Sequence, residues 1–484
     1  MAETQSYISF VLDGKRVDID FKNHTELTPT TTVLNYLRSL PHHKGVKEGC
    51  AEGDCGACTI VVAEPAGENK LSYKAVDSCL IFLPMIHGKQ IITVENLAIK
   101  KEHEIILHPV QKTMVEKYGS QCGYCTPGFI MSLFALYKNY QNPSREIIQC
   151  ALVGNLCRCT GYRPVIDAAI EVCSKNGKDH FNETEADIAS ILNKIINNSK
   201  SLLLNNEEQF YYRPKTLREA LELKSNHPQS IIINGSTDVA LRQTKKHEIL
   251  KQIIDISGVD ELKFFKETDT EWIFGAGLTI QTILELTENR FLPLHNILKF
   301  FGSLQIRNVA TIGGNIGSAS PIGDTLPILF ACGTIVNLVG TKGERNVKIE
   351  EFIKGYRKID IRQEELIKSV IIPKPTQHDI IKTYKYSKRQ DLDISTVSAA
   401  FRLRIKNNKV VEDAAFVYGG MAATTKHAYK AEEYIKGRLW ERDTVEQTVA
   451  LVRDEFTPIS DARSSAEARR IACGNLLLKF WSET

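Results

Sequence analysis

Eight of the twelve cysteines fall into two closely spaced sets, and the first set strongly restricts how its loop can fold. The segment GCAEGDCGAC contains a C-x4-C-x2-C array formed by Cys50, Cys55 and Cys58, and Cys79 supplies a fourth thiol. This is the plant-type [2Fe-2S] spacing, in which four thiolates hold two tetrahedral iron ions. The interleaved glycines allow the positive φ angles that a loop around a cluster needs. We therefore predict a [2Fe-2S] site; structural zinc, which usually uses two C-x2-4-C knuckles, is the alternative that fits less well.

The second set consists of Cys122 and Cys125 in QCGYCTPG and Cys157 and Cys159 in GNLCRCTGYRP. Each pair precedes a predicted helix, where free N–H groups and the positive end of the helix dipole stabilise thiolates. A thioredoxin-like interpretation of the C-x-x-C pair leaves the C-x-C pair unexplained, and C-x-C is too tight for a usual zinc knuckle. A second iron–sulfur cluster is therefore predicted. Small buried apolar side chains are predicted for the remaining cysteines, Cys150, Cys173, Cys332 and Cys473.

Composition and charge describe an ordinary globular protein with several domains. The chain has 484 residues, of which 43% are hydrophobic and 25% charged, and its formal net charge is only +3. This balance gives no indication of a nucleic-acid or anionic-membrane partner. The start lacks a signal peptide and no run of about 18 apolar residues occurs, so we expect a cytoplasmic protein. Surface or capping roles, not metal ligation, are expected for the histidines, including His42, His43 and His108.

Changes in residue pattern along the chain predict four domains and one linker. A β-hairpin around Asp13-Gly14, one helix and further β-branched runs indicate a small β-rich domain, and long helical apolar patterns follow it. A stretch rich in Asn, Lys, Asp and Ser is interpreted as a linker, with room for a short helix at Ile188 to Ile196. Mixed α/β patterns come next. The last hundred residues predict antiparallel strands around an Asn407-Asn408 turn and a final helix from Ala466 to Phe480.

Two small-residue loops in the second half of the chain are candidates for nucleotide binding. No G-x-G-x-x-G fingerprint of a Rossmann fold is present. A predicted strand feeds the loop Asn-Gly-Ser-Thr-Asp that ends at Asp238, where backbone N–H groups and hydroxyls could meet a pyrophosphate. The segment from Thr311 to Asp324 is also rich in small residues and carries a carboxylate suited to ribose hydroxyls. Either loop alone is more often a simple turn.

The segments GCAEGDCGACTIVV, QCGYCTPGFIMS and GNLCRCTGYRP resemble the paired [2Fe-2S] domains of the molybdenum hydroxylase (xanthine dehydrogenase/aldehyde oxidase) family. The resemblance covers nearly the whole chain and implies a multidomain α+β fold. The implied parts are a β-grasp ferredoxin-like domain (1–95), a helical-bundle [2Fe-2S] domain (96–173), a linker (174–208), an α+β FAD-binding domain of the molybdenum-hydroxylase/vanillyl-alcohol-oxidase type (209–380) and a C-terminal α+β flavoprotein domain (381–484).

The same resemblance implies which residues hold the flavin. The pyrophosphate loop would comprise Ile232, Ile233, Asn234, Gly235, Ser236, Thr237, Asp238 and Val239. The other implied FAD residues are Phe301, Thr311, Gly314, Asn315, Ser318, Asp324, Ile367 and Lys385. Gln121, beside Cys122, resembles the family residue between cluster and pterin. The KRQDLDIS segment departs from the charge arrangement of the animal enzymes, which leaves open how access of NAD or oxygen to the flavin is governed.

By resemblance the chain is an electron-transfer subunit without catalytic acid–base residues of its own. Electrons from purine hydroxylation would pass through two [2Fe-2S] clusters to FAD and then to NAD. Single-chain relatives continue into a molybdopterin domain beyond the region where this chain ends at Thr484. The resemblance therefore implies a separate large molybdopterin-binding subunit, in a dimer of heterodimers. The alternatives are the same relay for an aldehyde or N-heterocycle substrate, a non-redox zinc-stabilised scaffold, and a free-standing ferredoxin–flavin reductase.

Overall fold

The computed structural model describes residues 3–24, 26–175, 178–206, 208–406 and 408–484. The chain forms two compact units. The first comprises Met1–Ala220, Gln229–Gly258 and Gly302–Ala310, and the second comprises Leu221–Pro228, Val259–Phe301 and Thr311–Thr484. Among the described residues, every helix is either too short or too polar to span a bilayer.

Strands and helices follow one another along the chain in a mixed order. The strands are β1 (Thr4–Gln5), β2 (Tyr7–Leu12), β3 (Lys15–Asp20), β4 (Thr59–Pro65), β5 (Leu71–Asp77), β6 (Gln90–Ile92), β7 (Ile99–Lys101), β8 (Glu104–Ile106), β9 (Ser201–Asn205), β10 (Phe210–Arg213), β11 (Ile231–Ile233), β12 (Gln252–Asp255), β13 (Phe265–Glu267), β14 (Glu271–Gly275), β15 (Ile335–Gly340), β16 (Gly343–Lys348), β17 (Ile353–Gly355), β18 (Lys358–Ile359), β19 (Leu366–Pro373), β20 (Asp379–Tyr386), β21 (Val397–Ile405), β22 (Val411–Gly419) and β23 (Lys426–His427). The helices are α1 (Val33–Ser39), α2 (Pro109–Glu116), α3 (Thr126–Asn139), α4 (Arg145–Leu152), α5 (Arg163–Ser174), α6 (His180–Asn198), α7 (Leu217–Asn226), α8 (Ala240–Thr244), α9 (Ile280–Thr287), α10 (Leu292–Leu298), α11 (Leu304–Arg307), α12 (Ile312–Ser318), α13 (Leu326–Ala331), α14 (Ile349–Phe352), α15 (Tyr429–Ile435), α16 (Arg442–Glu455) and α17 (Ala466–Ser482).

The N-terminal part of the first unit is a mixed five-stranded sheet with one helix packed on it. Its strand order is β3-β2-β6-β4-β5, with β2 and β6 parallel. The hairpin β2–β3 turns at Asp13 and Gly14, whose φ angles of 54° and 70° are those of the type I′ turn that matches strand twist. Val33, Leu34 and Leu37 bury one face of α1 in the same core as the sheet. The predicted hairpin and the expected β-grasp arrangement are confirmed.

The next part of the first unit is helical, as predicted. Helix α3 is central, because it is apolar on all sides and nine consecutive residues from Gly128 to Leu136 are buried. It shares a core with α2, α4 and α5 through side chains such as Val110, Ile148 and Val165. This part holds the second set of cysteines in the loops that precede α3 and α5.

The segment interpreted as a linker contains the long helix α6. Phe181, Ile188, Leu192 and Ile195 bury its apolar face in the helical core. A capping box between Asp179 and Asn182 starts the helix well before the stretch that periodicity indicates. Many polar residues in the segment obscure the helical periodicity of the apolar face, so the sequence predicted a shorter helix. Residues 176, 177 and 207 of the segment lie outside the described residues.

A second five-stranded sheet, of order β1-β9-β10-β12-β11, completes the first unit. Strands β10, β11 and β12 are mutually parallel around β12, while β9 runs antiparallel to β10. The predicted loop for the pyrophosphate follows β11, and α8 follows the loop. Short helix α11, although distant in sequence, also belongs to this unit.

The described part of the second unit has two larger sheets and a small two-stranded sheet, β17–β18. One of the larger sheets has the order β13-β14-β19-β15-β16 and the other the order β20-β21-β22-β23. The apolar face of the latter sheet is covered by α15, α16 and α17, with Phe401, Phe416 and Phe480 in their common core. The predicted strands and final helix are present with longer bounds. Of the predicted Asn407-Asn408 turn, Asn407 lies outside the described residues.

A largely buried histidine in the second unit, His427, makes the stability of the fold depend on pH. His427 Nδ1 lies 2.8 Å from Glu432 Oε1, and His427 Nε2 lies 3.6 Å from Glu350 Oε1. Burial alone would lower the pKa of His427, but the hydrogen bonds with both carboxylates outweigh it and raise the pKa to about 9. A raised folded-state pKa stabilises the fold below the unfolded value of about 6.5, and the stabilisation disappears as pH rises through about 9.

We expect unfolding of the wild-type chain to become easier between about pH 6.5 and pH 9, and His427→Gln to reduce this dependence. The measurement is the thermal unfolding midpoint against pH. His378→Gln, at an exposed histidine of the same unit, is the control and should reproduce the wild-type profile. Identical slopes for His427→Gln and wild type would contradict the assignment.

Candidate functional site

The first cysteine set lies in the loop before β4 and in the turn after β5, so strand pairing brings its members together. The Sγ atoms of Cys58 and Cys79 lie 3.4 Å apart, and both side chains are buried. Cys50 Sγ accepts hydrogen bonds from the backbone N–H groups of Glu52 (3.4 Å) and Asp54 (3.3 Å). A hydrogen bond from the Cys55 thiol and these N–H groups lower the pKa of Cys50 to about 5.

The second set lies at the starts of two helices, as predicted. Cys125 is the N-cap residue of α3, while Cys157 and Cys159 lie in the loop before α5. Cys157 Sγ accepts hydrogen bonds from Thr160 Oγ1 (3.2 Å) and from two backbone N–H groups. Burial is the largest single influence and opposes ionisation, but the hydrogen-bond donors together outweigh it and lower the pKa of Cys157 to about 7. Burial and the neighbouring Cys157 raise the pKa of Cys125 to about 12.

In both sets the cysteine thiols form hydrogen-bonded pairs. Cys50 hydrogen-bonds with Cys55 and Cys58 with Cys79 in the first set, and Cys122 with Cys159 and Cys125 with Cys157 in the second. Throughout the described residues, no three His, Cys, Asp or Glu side chains converge on a single point. A mononuclear zinc site needs four ligands around one ion, whereas a [2Fe-2S] cluster needs two thiolates at each of two irons. The donor set therefore fits a binuclear cluster in each case.

A backbone hydrogen bond joins the loops of the two cysteine sets directly. The N–H of Leu156 donates to the carbonyl of Cys55 over 3.0 Å. Leu156 precedes Cys157, so one hydrogen bond separates a residue of the first set from a neighbour of the second. Beside it, Asn155 Nδ2 donates to the carbonyl of Gly56 over 3.0 Å.

The predicted pyrophosphate loop lies in the first unit, after β11. Gly235 has a φ of 94°, and a Cβ there would lie 2.1 Å from the carbonyl oxygen of Val309, so only glycine fits. Ser236, with a φ of 57°, is buried, and its hydroxyl donates to the carbonyl of Leu80 over 2.6 Å. The serine hydroxyl thus fastens the loop to the turn that bears Cys79 and is already engaged. Backbone N–H groups of the loop, rather than this hydroxyl, are the groups that suit a pyrophosphate.

The remaining predicted flavin residues lie in the second unit, and two of them contact each other. Lys385 Nζ donates to Asp324 Oδ2 over 2.7 Å and to the carbonyl of Phe300 over 2.8 Å. Ser395 Oγ donates to the other oxygen of Asp324 over 2.5 Å. This ion pair is nearly buried, so Lys385 is not the solvated strand charge that a lone lysine usually is. The pair holds strand β20 against the loop before α13.

Helix α12 carries the other small-residue positions of the second unit. Thr311 caps it by accepting from the N–H of Gly314 over 3.2 Å, and Asn315 Oδ1 accepts a hydrogen bond from Thr325 Oγ1. Gly314 is exposed, and Ser318 is half-buried at the end of the helix. Ile367 Cδ1 would lie 3.6 Å from a Cβ at Gly317, so β19 packs beside α12. Phe301 is half-buried just before the chain passes back into the first unit.

Several buried polar residues of the first unit were not predicted. His108 caps α2, and its Nε2 lies 3.0 Å from Asp179 Oδ2; the capping role was predicted but the burial was not. His43 is also buried rather than at the surface, with Nδ1 3.1 Å from Thr93 Oγ1. Cys173 and Cys473 are buried as predicted. Cys150 is only half-buried and accepts a hydrogen bond from the buried guanidinium of Arg307 over 3.0 Å.

Gln305 is a buried residue beside the candidate site that sequence reasoning missed altogether. It is 1% exposed and lies among Thr59, Ser132 and Asn155, beside both cysteine loops. No spacing signal connects it with the cysteines, because the contact closes over 246 residues to Thr59.

Comparisons with protein families match three parts of the chain. Residues 93–170 match the family described as [2Fe-2S] binding domain. Residues 205–375 match the FAD binding domain in molybdopterin dehydrogenase, and residues 382–484 match the CO dehydrogenase flavoprotein C-terminal domain.

Comparisons with individual proteins agree with these matches. A xanthine dehydrogenase of Drosophila pseudoobscura pseudoobscura is 32% identical over 98% of this chain and 39% of its own length. Xanthine dehydrogenase 1 of Arabidopsis thaliana is 32% identical over 93% of this chain and 38% of its own length. The chain thus spans about two fifths of the length of these relatives.

Among solved structures, a Cu,Mo-CO dehydrogenase in its cyanide-inactivated form gives a TM-score of 0.52 at 23% identity, covering 56% of this chain and 94% of that one. The quinoline 2-oxidoreductase of Pseudomonas putida 86 gives 0.52 at 21% identity, covering 56% and 96%. These likenesses show the fold alone.

Proposed function

The chain belongs to the molybdenum hydroxylase family and carries its iron–sulfur and FAD-binding part, and from this we propose that it is the iron–sulfur/flavin subunit of a xanthine dehydrogenase. It would pass electrons from hydroxylation of hypoxanthine or xanthine at a partner molybdenum subunit through two [2Fe-2S] clusters to FAD, and then to NAD. The relatives named xanthine dehydrogenase support the purine substrate, because they match along nearly the whole chain.

The observation that carries the proposal is a hydrogen bond between the loops of two cysteine sets, each of which fits a [2Fe-2S] cluster. Cys50, Cys55, Cys58 and Cys79 would hold one cluster, and Cys122, Cys125, Cys157 and Cys159 the other. The hydrogen bond from Leu156 N–H to the Cys55 carbonyl makes a short bonded route from one set to the other. A zinc-stabilised scaffold does not require a bonded route between its two metal sites. The four donors of each zinc site would converge on a single ion.

Backbone donors and burial are the means by which this chain would tune its clusters. N–H groups of Glu52 and Asp54 point to Cys50 Sγ, and those of Cys159 and Thr160 point to Cys157 Sγ. Hydrogen bonds to cluster sulfurs and solvent exposure set the reduction potential over a wide range. Two cysteines of the first set are buried and two are half-buried, whereas two of the second set are exposed and two are half-buried, so the two environments differ.

FAD, when bound, would supply the conversion between single electrons and the two-electron transfer to NAD. In the first unit, Ile232 to Val239 would form the pyrophosphate loop, with Gly235 allowing its close turn. In the second unit, the residues that would contact the flavin are Phe301, Thr311, Gly314, Asn315, Ser318, Asp324, Ile367 and Lys385. The pairing of Lys385 with Asp324 fixes the orientation of both side chains.

Exposed apolar side chains close in sequence to the second cysteine set support a protein partner. Cys122 and Cys159 are exposed, and nearby in sequence Tyr118 is 83% exposed and Val115 65%. Contiguous exposed apolar side chains are typical of interaction surfaces, and the closeness of these residues in the sequence is the support for such a surface here. We assign the surface to a large molybdopterin-binding subunit in a cytoplasmic dimer of heterodimers, with the electron entering through the second set and Gln121 on its path.

The first test is the cofactor content of the anaerobically purified chain. We expect about four irons, about four acid-labile sulfides and one FAD per chain, with two distinguishable reduced-cluster signals in low-temperature EPR. Stoichiometric zinc without sulfide or flavin would reject the relay and leave the scaffold alternative.

A second test concerns the partner and the substrate. The chain should copurify with a much larger molybdopterin protein, and the assembly should reduce NAD with hypoxanthine or xanthine. If the assembly reduces NAD with aldehydes or quinolines but not with purines, the electron-transfer role stands and the proposed purine substrate is wrong. NADH oxidation by a chain that never binds a partner would favour the free-standing reductase.

A further inference from the structure

Gln305 sits at the junction of the two cysteine-bearing segments, although it comes from the part of the sequence that matches the FAD-binding family. Its side chain is 1% exposed on α11. Its Nε2 lies 3.2 Å from Asn155 Oδ1, 3.2 Å from Ser132 Oγ and 3.4 Å from Thr59 Oγ1. One amide group therefore faces strand β4, helix α3 and the loop before α5 at once.

The partners of Gln305 are next to cluster ligands on both sides. Thr59 follows Cys58 directly, and its hydroxyl donates to the carbonyl of Gly56 over 2.7 Å. Asn155 lies two residues before Cys157, and its Nδ2 donates to the same carbonyl over 3.0 Å. Asn155 Nδ2 also lies 3.2 Å from Thr59 Oγ1, so the hydrogen bonds from Gln305 reach both side chains of this contact between the loops of the two sets.

The two cysteine-bearing segments and Gln305 are closely packed where they meet. A Cβ at Gly154 would lie 2.1 Å from Gln305 Oε1, and a Cβ at Gly128 would lie 2.1 Å from the carbonyl oxygen of Gly56. The backbones of the two segments therefore touch, and the Gln305 side chain packs against both. Groups held in this way by packing and hydrogen bonds together keep their geometry closely.

Helix α11 has other attachments that do not involve the junction. Asn308 Nδ2 donates to the carbonyl of Ala75 over 2.9 Å, and Arg307 Nη2 donates to Cys150 Sγ over 3.0 Å. Loss of the Gln305 donors alone should therefore leave the helix in place, which separates the role of Gln305 from general packing.

We propose that Gln305 is a positioning residue that holds the two cluster-binding loops together and so sets the electronic contact between the clusters. The inference rests on the proposed function, because it requires both clusters. Gln305 Nε2 hydrogen-bonds with Thr59, Ser132 and Asn155 and not with a ligand cysteine, so it would act through Thr59 and Asn155 on the contact between Cys55 and Leu156. The rate of electron tunnelling falls exponentially with the distance between the two redox centres. A small separation of these loops would therefore strongly lower the rate of electron transfer between the clusters.

The test uses the full chain with its cofactors and three variants. Gln305→Met keeps the length of the side chain without its donors, Gln305→Glu keeps its shape without donors, and Asn308→Leu removes the donor of a neighbouring amide on the same helix. Iron, sulfide and the unfolding midpoint are measured, together with the magnetic splitting between the two reduced clusters in low-temperature EPR. The splitting reports their contact independently of activity.

We expect both Gln305 variants to keep full iron and to lose the splitting, and Asn308→Leu to retain it. Unchanged splitting in the Gln305 variants, or equal loss in Asn308→Leu, would overturn the inference. Failure of both Gln305 variants to hold iron would also overturn it, since the residue would then build the cluster segments rather than position them. A wild-type chain without two clusters would reject the proposed function itself, while two clusters without splitting would reject only this inference.

Discussion

Replacing Cys58 by alanine is expected to remove about half of the iron and acid-labile sulfide, because one cluster needs all four of its thiolates. Cys58 is 2% exposed and lies 3.4 Å from Cys79, so no solvent ligand can take its place. The second cysteine set should keep its iron, and one of the two EPR signals should remain. Electron transfer to the flavin from a molybdenum partner should be lost. Iron and sulfide analysis with EPR provides the measurement.

Cys173→Ala is the matched control for this prediction. Cys173 is also buried in the first unit, and burial raises its pKa to about 11, as expected for an inert structural thiol. The variant removes one sulfur from the helical core and should cost stability without changing the iron content. Equal iron loss in both variants would show that cluster retention reports general stability, and full iron in Cys58→Ala would exclude Cys58 as a ligand.

The eight cysteines could be predicted because a cluster requires one side-chain type at short, fixed spacings. All of them except Cys79 lie within two short loops and one C-x-x-C turn, so local sequence carries the signal. The hairpin at Asp13-Gly14 was predictable for a similar reason, since its positive φ angles restrict residue choice. The ligand roles of the cysteines remain predictions, and the thiol pairing in the structure supports them.

Contacts that close over long distances in sequence could not be predicted. Gln305 meets Thr59 only after the fold brings α11 beside β4, and nothing in its local pattern marks it. Ser236 was expected to offer its hydroxyl to a pyrophosphate, but the fold directs it to the Leu80 carbonyl. Helix α6 was shortened in the prediction because its many polar residues obscure an apolar face that becomes evident only against the helical core.

Gly56→Ala is expected to cause a large loss of stability in the first unit. Gly56 has a φ of 68°, and a Cβ there would lie 2.2 Å from the carbonyl oxygen of Gly154 and 2.5 Å from Asn155 Nδ2. Both atoms belong to the opposing loop, which hydrogen bonds hold in place. We expect the free energy of unfolding to fall by about 4 kcal/mol. Overpacking costs about 3 kcal/mol of this, and a strained positive φ costs about 1 kcal/mol more.

Gly14→Ala separates the two contributions. Gly14 has a nearly equal φ of 70°, but no heavy atom lies within 4 Å of a Cβ built there. Its variant should therefore lose only about 1 kcal/mol, the cost of the backbone conformation alone. The measurement is the unfolding midpoint of both variants under the same conditions, with iron content recorded. Since Gly56 lies between two cluster ligands, its variant should also lose iron, whereas Gly14→Ala should not. Similar midpoints would mean that the loops can separate at little cost, which would contradict the close contact on which the relay depends.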